Sequence, residues 1–223
     1  MGETIQLKAA DGFELDAYVA RPTGPVRGAV VVVQEIFGVN AHIRSVADRF
    51  AAEGYLAIAP ALFDRIEKHF EVGYDDASRG KAMSFIGKVD RESAKLDIAA
   101  AIAPVAEAGK VGIVGYCWGG TMAWVSAGQL PGLSAAVGYY GHGVLAMPDL
   151  QPACPVMLHF GARDAHIPVA QVEAFAAARE DVPTYIYDAD HGFNCDARSS
   201  YDKASADLAQ QRTLAFFAAH LQD

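Results

Sequence analysis

Short, almost wholly apolar runs, set apart by longer amphipathic ones, most constrain how this chain can fold. Residues 28–33 (GAVVVV), 55–60 (YLAIAP), 110–116 (KVGIVGY), 133–140 (LSAAVGYY), 154–161 (CPVMLHFG) and 182–188 (VPTYIYD) read as strands. The most apolar of them lack the alternation of a strand with one wet face, so they predict a sheet buried on both sides. Helical runs lie between them: 41–53, capped by Asn40 and ended by Gly54; segments up to about Ala108, interrupted near Gly87 and Pro104; 118–128; 168–179; and 201–221. Strands alternating with helices predict a mostly parallel, twisted sheet with helices on both faces, an α/β architecture. At the N-terminus, residues 4–9 and 13–20 flank Ala10-Asp11-Gly12 and read as an antiparallel hairpin. The 223 residues suit one domain, 1–223.

One junction carries chemistry. Gly115-Tyr116-Cys117-Trp118-Gly119-Gly120 joins a buried strand to a helix. It is a G-x-S-x-G elbow with Cys in place of Ser. Glycines two residues before and two after the turn remove side chains that a sharp strand-to-helix bend would crowd. The bend also sets Cys117 at the first turn of a helix, where free N–H groups and the macrodipole favour an anionic sulfur. The spacing Gly112, Gly115, Gly119 does not make a dinucleotide-binding G-x-G-x-x-G. The plainer reading of Cys117 is a small buried hydrophobe.

A thiol nucleophile needs a base, and in this fold type the order along the chain is nucleophile, acid, histidine. Of seven histidines, His191 stands in a polar turn (DADHGF) directly after a strand. His159 lies within an apolar strand and reads as a core residue; His166 follows Asp164 too closely to pair with it; His42, His69, His142 and His220 lack a strand-end setting. Asp164, in the turn before a helix that Pro168 can open, is the expected acid, fixing the His191 tautomer. Asp188 and Asp190 are nearer in sequence, but a short loop rarely folds one back onto the ring.

Composition narrows the partners. Asp plus Glu number 27 against 18 Lys plus Arg, a formal charge of -9, which disfavours nucleic acid and anionic membranes. No apolar run is long enough to span a bilayer, and the N-terminus has no secretory pattern, so a cytoplasmic location is expected. Three cysteines without a CxxC argue against a disulfide framework, and the absence of HExxH or paired His/Cys spacing against a metal site. No cofactor is expected; the expected partner is a small-molecule substrate, and the expected state a monomer or weak homo-oligomer.

QEIFGVN at 34–40, GYCWGG at 115–120, VGYYG at 137–141, GARDAHIP at 161–168 and the HGF that begins at His191 resemble the dienelactone hydrolase (carboxymethylenebutenolidase) family. The match is collinear through nearly the full chain. The resemblance implies an α/β-hydrolase fold and cysteine-dependent hydrolysis of a small ester or lactone. It implies that Glu35 lies beside the thiol and helps activate it, that the Ile36 and Trp118 N–H groups form the oxyanion hole, and that Arg79 holds a substrate carboxylate.

This chain departs from the family pattern at one telling place. The second carboxylate-binding arginine of the pattern lies four residues after the histidine, where this chain has Cys195. Arg198 is the candidate replacement, from a shifted loop. Met83 and Ile86 stand where larger rings are expected. Only about 14 residues separate the 133–140 strand from the 154–161 strand, too few for a helical cap domain, so an open, shallow site is expected. The alternatives are a general small carboxylesterase for an uncharged substrate, or a non-hydrolytic thiol or binding protein on the same fold.

Overall fold

The computed structural model describes residues 2–222. Eight strands form one sheet: β1 (Glu3–Lys8), β2 (Glu14–Ala20), β3 (Ala29–Val33), β4 (Leu56–Pro60), β5 (Val111–Tyr116), β6 (Leu133–Tyr139), β7 (Val156–Gly161) and β8 (Thr184–Tyr187). Their order is β1-β2-β4-β3-β5-β6-β7-β8. β1 runs antiparallel to β2, β2 antiparallel to β4, and the remaining pairs are parallel. The expected hairpin is present, and Gly12 takes φ +87° in its turn, a conformation open to glycine.

Among the described residues there are six helices: α1 (Ala41–Ala52), α2 (Asp76–Ile86), α3 (Arg91–Ile102), α4 (Trp118–Gln129), α5 (Val169–Ala178) and α6 (Lys203–Leu221). α1 and α6 pack on one face; α3 and α4 pack on the other, with α5 beside α4. Central strands β3 to β5 are buried along their whole length because both faces are covered, as their unbroken apolar runs require. α1 shows how the sequence dictates a helix. Asn40 caps it by accepting the Ile43 N–H at 3.2 Å, and Ile43, Val46, Ala47 and Phe50 recur on its buried face. Phe50 meets Phe217 of α6 at 5.9 Å between ring centroids, which ties the two helices together. Truncating Phe217, fully buried, to Ala would cost about 3–5 kcal/mol.

The helical segments up to Ala108 are interrupted near Gly87 and Pro104, as expected. α2 ends at Gly87, Asp90 caps α3 by accepting the Ser93 N–H at 2.9 Å, and residues 103–108 form a 3-10 turn where Pro104 removes a donor. Between β6 and β7 there is only a 3-10 turn, His142–Ala146, and no cap domain. Because β3, β5, β6, β7 and β8 are parallel, their carboxyl ends share one edge. There Glu35, Cys117, Tyr140, Asp164 and His191 follow their strands.

Candidate active site

Cys117 occupies the turn between β5 and α4 with φ 56° and ψ −119°, a left-handed conformation that costs a non-glycine residue on the order of 1–3 kcal/mol. Two neighbouring glycines are what permit it. A Cβ on Gly115 would meet the Gly119 carbonyl oxygen at 1.9 Å, and one on Gly119 would meet the Gln34 oxygen at 2.4 Å. The Cys117 N–H donates to the Tyr139 carbonyl at 3.0 Å, which anchors the strained turn to β6.

His191 reaches the thiol from the loop after β8. Its Nε2 lies 3.2 Å from Cys117 Sγ, and its Nδ1 lies 2.6 Å from Asp164 Oδ2. Asp164 is itself held: its Oδ1 accepts the backbone N–H groups of His166 at 2.8 Å and Ile167 at 3.2 Å. Burial opposes ionisation of Asp164, but the His191 bond and charge, together with the His166 N–H, outweigh it and lower the carboxyl pKa. Burial likewise opposes charging of His191, yet Asp164 and then Cys117 lift its pKa to about 10. A carboxylate only accepts, so Nδ1 carries a proton and Nε2 faces the sulfur. Asp188 instead pairs with Arg163 on the surface at 2.6 Å. His159 is a satisfied core residue, with Nδ1 2.9 Å from the Tyr187 hydroxyl and Nε2 3.1 Å from Thr213 Oγ1.

A cleft of about 360 Å³ opens over Cys117 and His191. Ile36 and Trp118 line it; Trp118 begins α4, where an N–H has no intrahelical acceptor. Ile86, Met83 and Tyr140 supply apolar wall, with Met83 56% exposed at the mouth. Arg79 on α2 and Arg198 on the loop after His191 both face this cleft. Arg79 Nη2 is 3.2 Å from His166 Nε2.

Glu35 is fully buried. Its Oε2 accepts the Tyr74 hydroxyl at 3.0 Å and its Oε1 lies 3.4 Å from Arg198 Nη1. No hydrogen bond joins Glu35 to Cys117 among the described residues. The structure therefore brings together Cys117, Asp164 and His191, and sets Ile36, Trp118 and Arg79 around the same cleft. It turns Glu35 toward Arg198 instead. His142, set aside in the sequence as lacking a strand-end setting, in fact lies just past β6 and lines the cleft.

The sequence model of the dienelactone hydrolase family matches residues 15–221. The chain belongs to the dienelactone hydrolase family. It is 36% identical over 235 residues to a Yersinia pestis protein named "Putative carboxymethylenebutenolidase", across 95% of this chain and 86% of that one. It is 32% identical over 228 residues to the carboxymethylenebutenolidase of Pseudomonas putida, across 97% and 96%. The crystal structure of a Klebsiella pneumoniae protein named "Putative Dienelactone Hydrolase" superposes with a TM-score of 0.85 at 35% identity, covering 99% of this chain and 100% of that one. The fold is accordingly that of the α/β-hydrolases, and this member of the dienelactone hydrolase family is a hydrolase. No helix among the described residues is long and apolar enough to cross a membrane.

Proposed function

We propose that this chain hydrolyses a small ester or lactone by acyl transfer through Cys117. The observation that carries the reading is the line from Asp164 through His191 to Cys117, 2.6 Å and then 3.2 Å, at the floor of an open cleft. The thiol proton passes to His191 Nε2 before attack, so the resting pair is thiolate and imidazolium, and the sulfur then attacks the carbonyl carbon. The carbonyl electrons move onto oxygen, which the Ile36 and Trp118 N–H groups receive. His191 then returns the proton to the departing alkoxide, leaving a thioester. Water, losing its proton to His191, attacks that thioester; the acid departs and the thiolate is restored. Asp164 keeps the imidazole in the required tautomer and stabilises its cation. Glu35 holds Arg198 over the cleft, so deprotonation of the thiol falls to His191 in this conformation.

The substrate reading follows from charge. Arg79 and Arg198 face one cleft in a chain of formal charge -9. Two guanidinium groups there favour an ester or lactone bearing a carboxylate. A specific observation favours the alternative, an uncharged small ester: Arg198 is already engaged by Glu35, and Met83 and Ile86 make an apolar wall. Three free cysteines suit a cytoplasmic setting. The deciding experiment is hydrolysis of cis- and trans-dienelactone against p-nitrophenyl acetate, with Cys117→Ala as the blank. Preference for dienelactone supports the carboxylate reading; turnover of the neutral ester alone moves the substrate to uncharged esters; turnover by the blank overturns the thiol mechanism.

A further inference from the structure

Behind the catalytic cleft lies a second cluster of metal-competent side chains that the reaction does not use as a unit. Glu35, His42 and Cys195 are each buried, and one ligand atom from each lies within 4.8 Å of the other two. They come from three separate places: the loop after β3, the first turn of α1, and the loop after His191.

His42 gives the cluster its direction. Its side chain is 1% exposed. Nδ1 lies 3.0 Å from Asp196 Oδ1, and since a carboxylate only accepts, Nδ1 carries a proton. Nε2 is buried and has no hydrogen-bond partner. A buried polar atom left unpaired costs about 1–3 kcal/mol, so this nitrogen asks for something the protein side chains do not supply. An imidazole fixed by a carboxylate on one nitrogen and bare on the other is the arrangement that metal-bound histidines adopt.

We propose that Glu35, His42 and Cys195 bind one zinc-class divalent cation, through a carboxylate oxygen, Nε2 and Sγ. One sulfur, one imidazole and one carboxylate suit a borderline-soft metal and exclude magnesium and calcium, which take oxygen donors. The Tyr74 hydroxyl, 3.0 Å from Glu35 Oε2, is on hand for a fourth position. Tetrahedral bonds of about 2.0–2.3 Å place ligand atoms roughly 3.5 Å apart, so the three atoms draw inward on binding. A surface cavity lined by His42, Tyr74 and Ala197 supplies an approach. On binding, the Cys195 S–H bond breaks, a sulfur–metal bond forms and the proton leaves to solvent, with no change of oxidation state. The two cationic charges then match the carboxylate and the thiolate. Arg198, which faces Glu35 at 3.4 Å, loses its counter-ion to the metal.

Cobalt(II) is the probe, added to the full-length protein after chelator treatment and displaced afterwards with zinc. The expected result is one equivalent bound, with a near-ultraviolet thiolate-to-cobalt band that zinc abolishes. Cys195→Ser and His42→Gln should lose the band, Asp196→Asn should weaken binding about 10–100-fold, and Cys154→Ser and Cys117→Ala should keep it. No band in the wild type, a band that survives Cys195→Ser, or one lost in Cys117→Ala would overturn the proposal. Should the Cys195 or His42 variants fail to fold, X-ray absorption on the zinc-loaded wild type decides. One sulfur at about 2.3 Å with nitrogen or oxygen at about 2.0–2.2 Å supports the site, and a shell without sulfur contradicts it. None of these readouts depends on the reaction proposed for Cys117.

Discussion

Arg198 Nη1 lies 3.4 Å from the Oε1 of Glu35, a carboxylate with no solvent exposure. Arg198 keeps 16% of its side-chain surface, so it can face both this buried anion and the cleft. Removing it strands a buried charge. Arg198→Ala should destabilise the fold by roughly 2–3 kcal/mol, below the about 3–5 of a fully enclosed pair. Urea midpoints measure that loss. The same variant should lower kcat/KM for dienelactone relative to p-nitrophenyl acetate at least about tenfold, the worth of a charge-assisted contact of about 1.5 kcal/mol. An unchanged ratio would take Arg198 out of substrate binding.

The Asp164–His191 bond sets both a tautomer and a charge. Asp164→Asn should reduce kcat on the order of 100- to 10,000-fold, because an amide can present its N–H to Nδ1 and reverse the imidazole. His191, with a pKa of about 10, should still be protonated at pH 8 in the wild type. Removing Asp164, or removing the sulfur in Cys117→Ala, takes away a group that raises it and should bring the titration down. NMR of the imidazole nitrogens across pH 5–11 checks both.

His159 makes the opposite prediction about stability. Burial, and then the nearby Arg212 cation, lower its pKa to about 3. Unfolded, it returns to about 6.5. Between those values the unfolded chain holds a proton that the folded chain lacks, so stability is full above pH 6.5 and falls as the pH drops toward 3. This residue alone contributes a slope of up to about 1.4 kcal/mol per pH unit. Urea midpoints from pH 7 to pH 4 should therefore fall more steeply in the wild type than in His159→Gln.

Gly119 tests the elbow as a steric device. A Cβ there would meet the Gln34 oxygen at 2.4 Å and the Val33 oxygen at 2.5 Å, both backbone atoms that cannot swing aside. Gly119→Ala should push α4 off the edge of β3, costing about 1–3 kcal/mol as overpacking does, and should move Cys117 away from His191. Thermal midpoint and thiol alkylation rate would both fall.

The sheet and the line from Cys117 to His191 were legible in the sequence because their signals are local. Unbroken apolar runs mark buried strands, and Cys117, Asp164 and His191 each follow a strand whose direction is fixed by parallel pairing. What joins distant segments was not legible. Arg198 and Glu35 are 163 residues apart, and His42 meets Asp196 across 154. His42 sits two residues past the α1 cap with no strand-end setting, so nothing in its neighbourhood announces Glu35 or Cys195 as companions. Metal-ligand spacing is readable when one helix or one knuckle carries the ligands; here two loops and the first turn of α1 do. Glu35 shows the same limit from the other side. The family pattern sets it beside the thiol, but the loop that carries Arg198 decides which way its carboxylate turns.

The central claim is that Cys117 carries the acyl group. Rapid quench of the protein with p-nitrophenyl acetate in acid, followed by peptide mass mapping, measures this directly. The expected result is one acetyl group, on Cys117, appearing with a burst of p-nitrophenol and absent from Cys117→Ala. An acetyl on another residue, or steady turnover by Cys117→Ala at the wild-type rate, would contradict it.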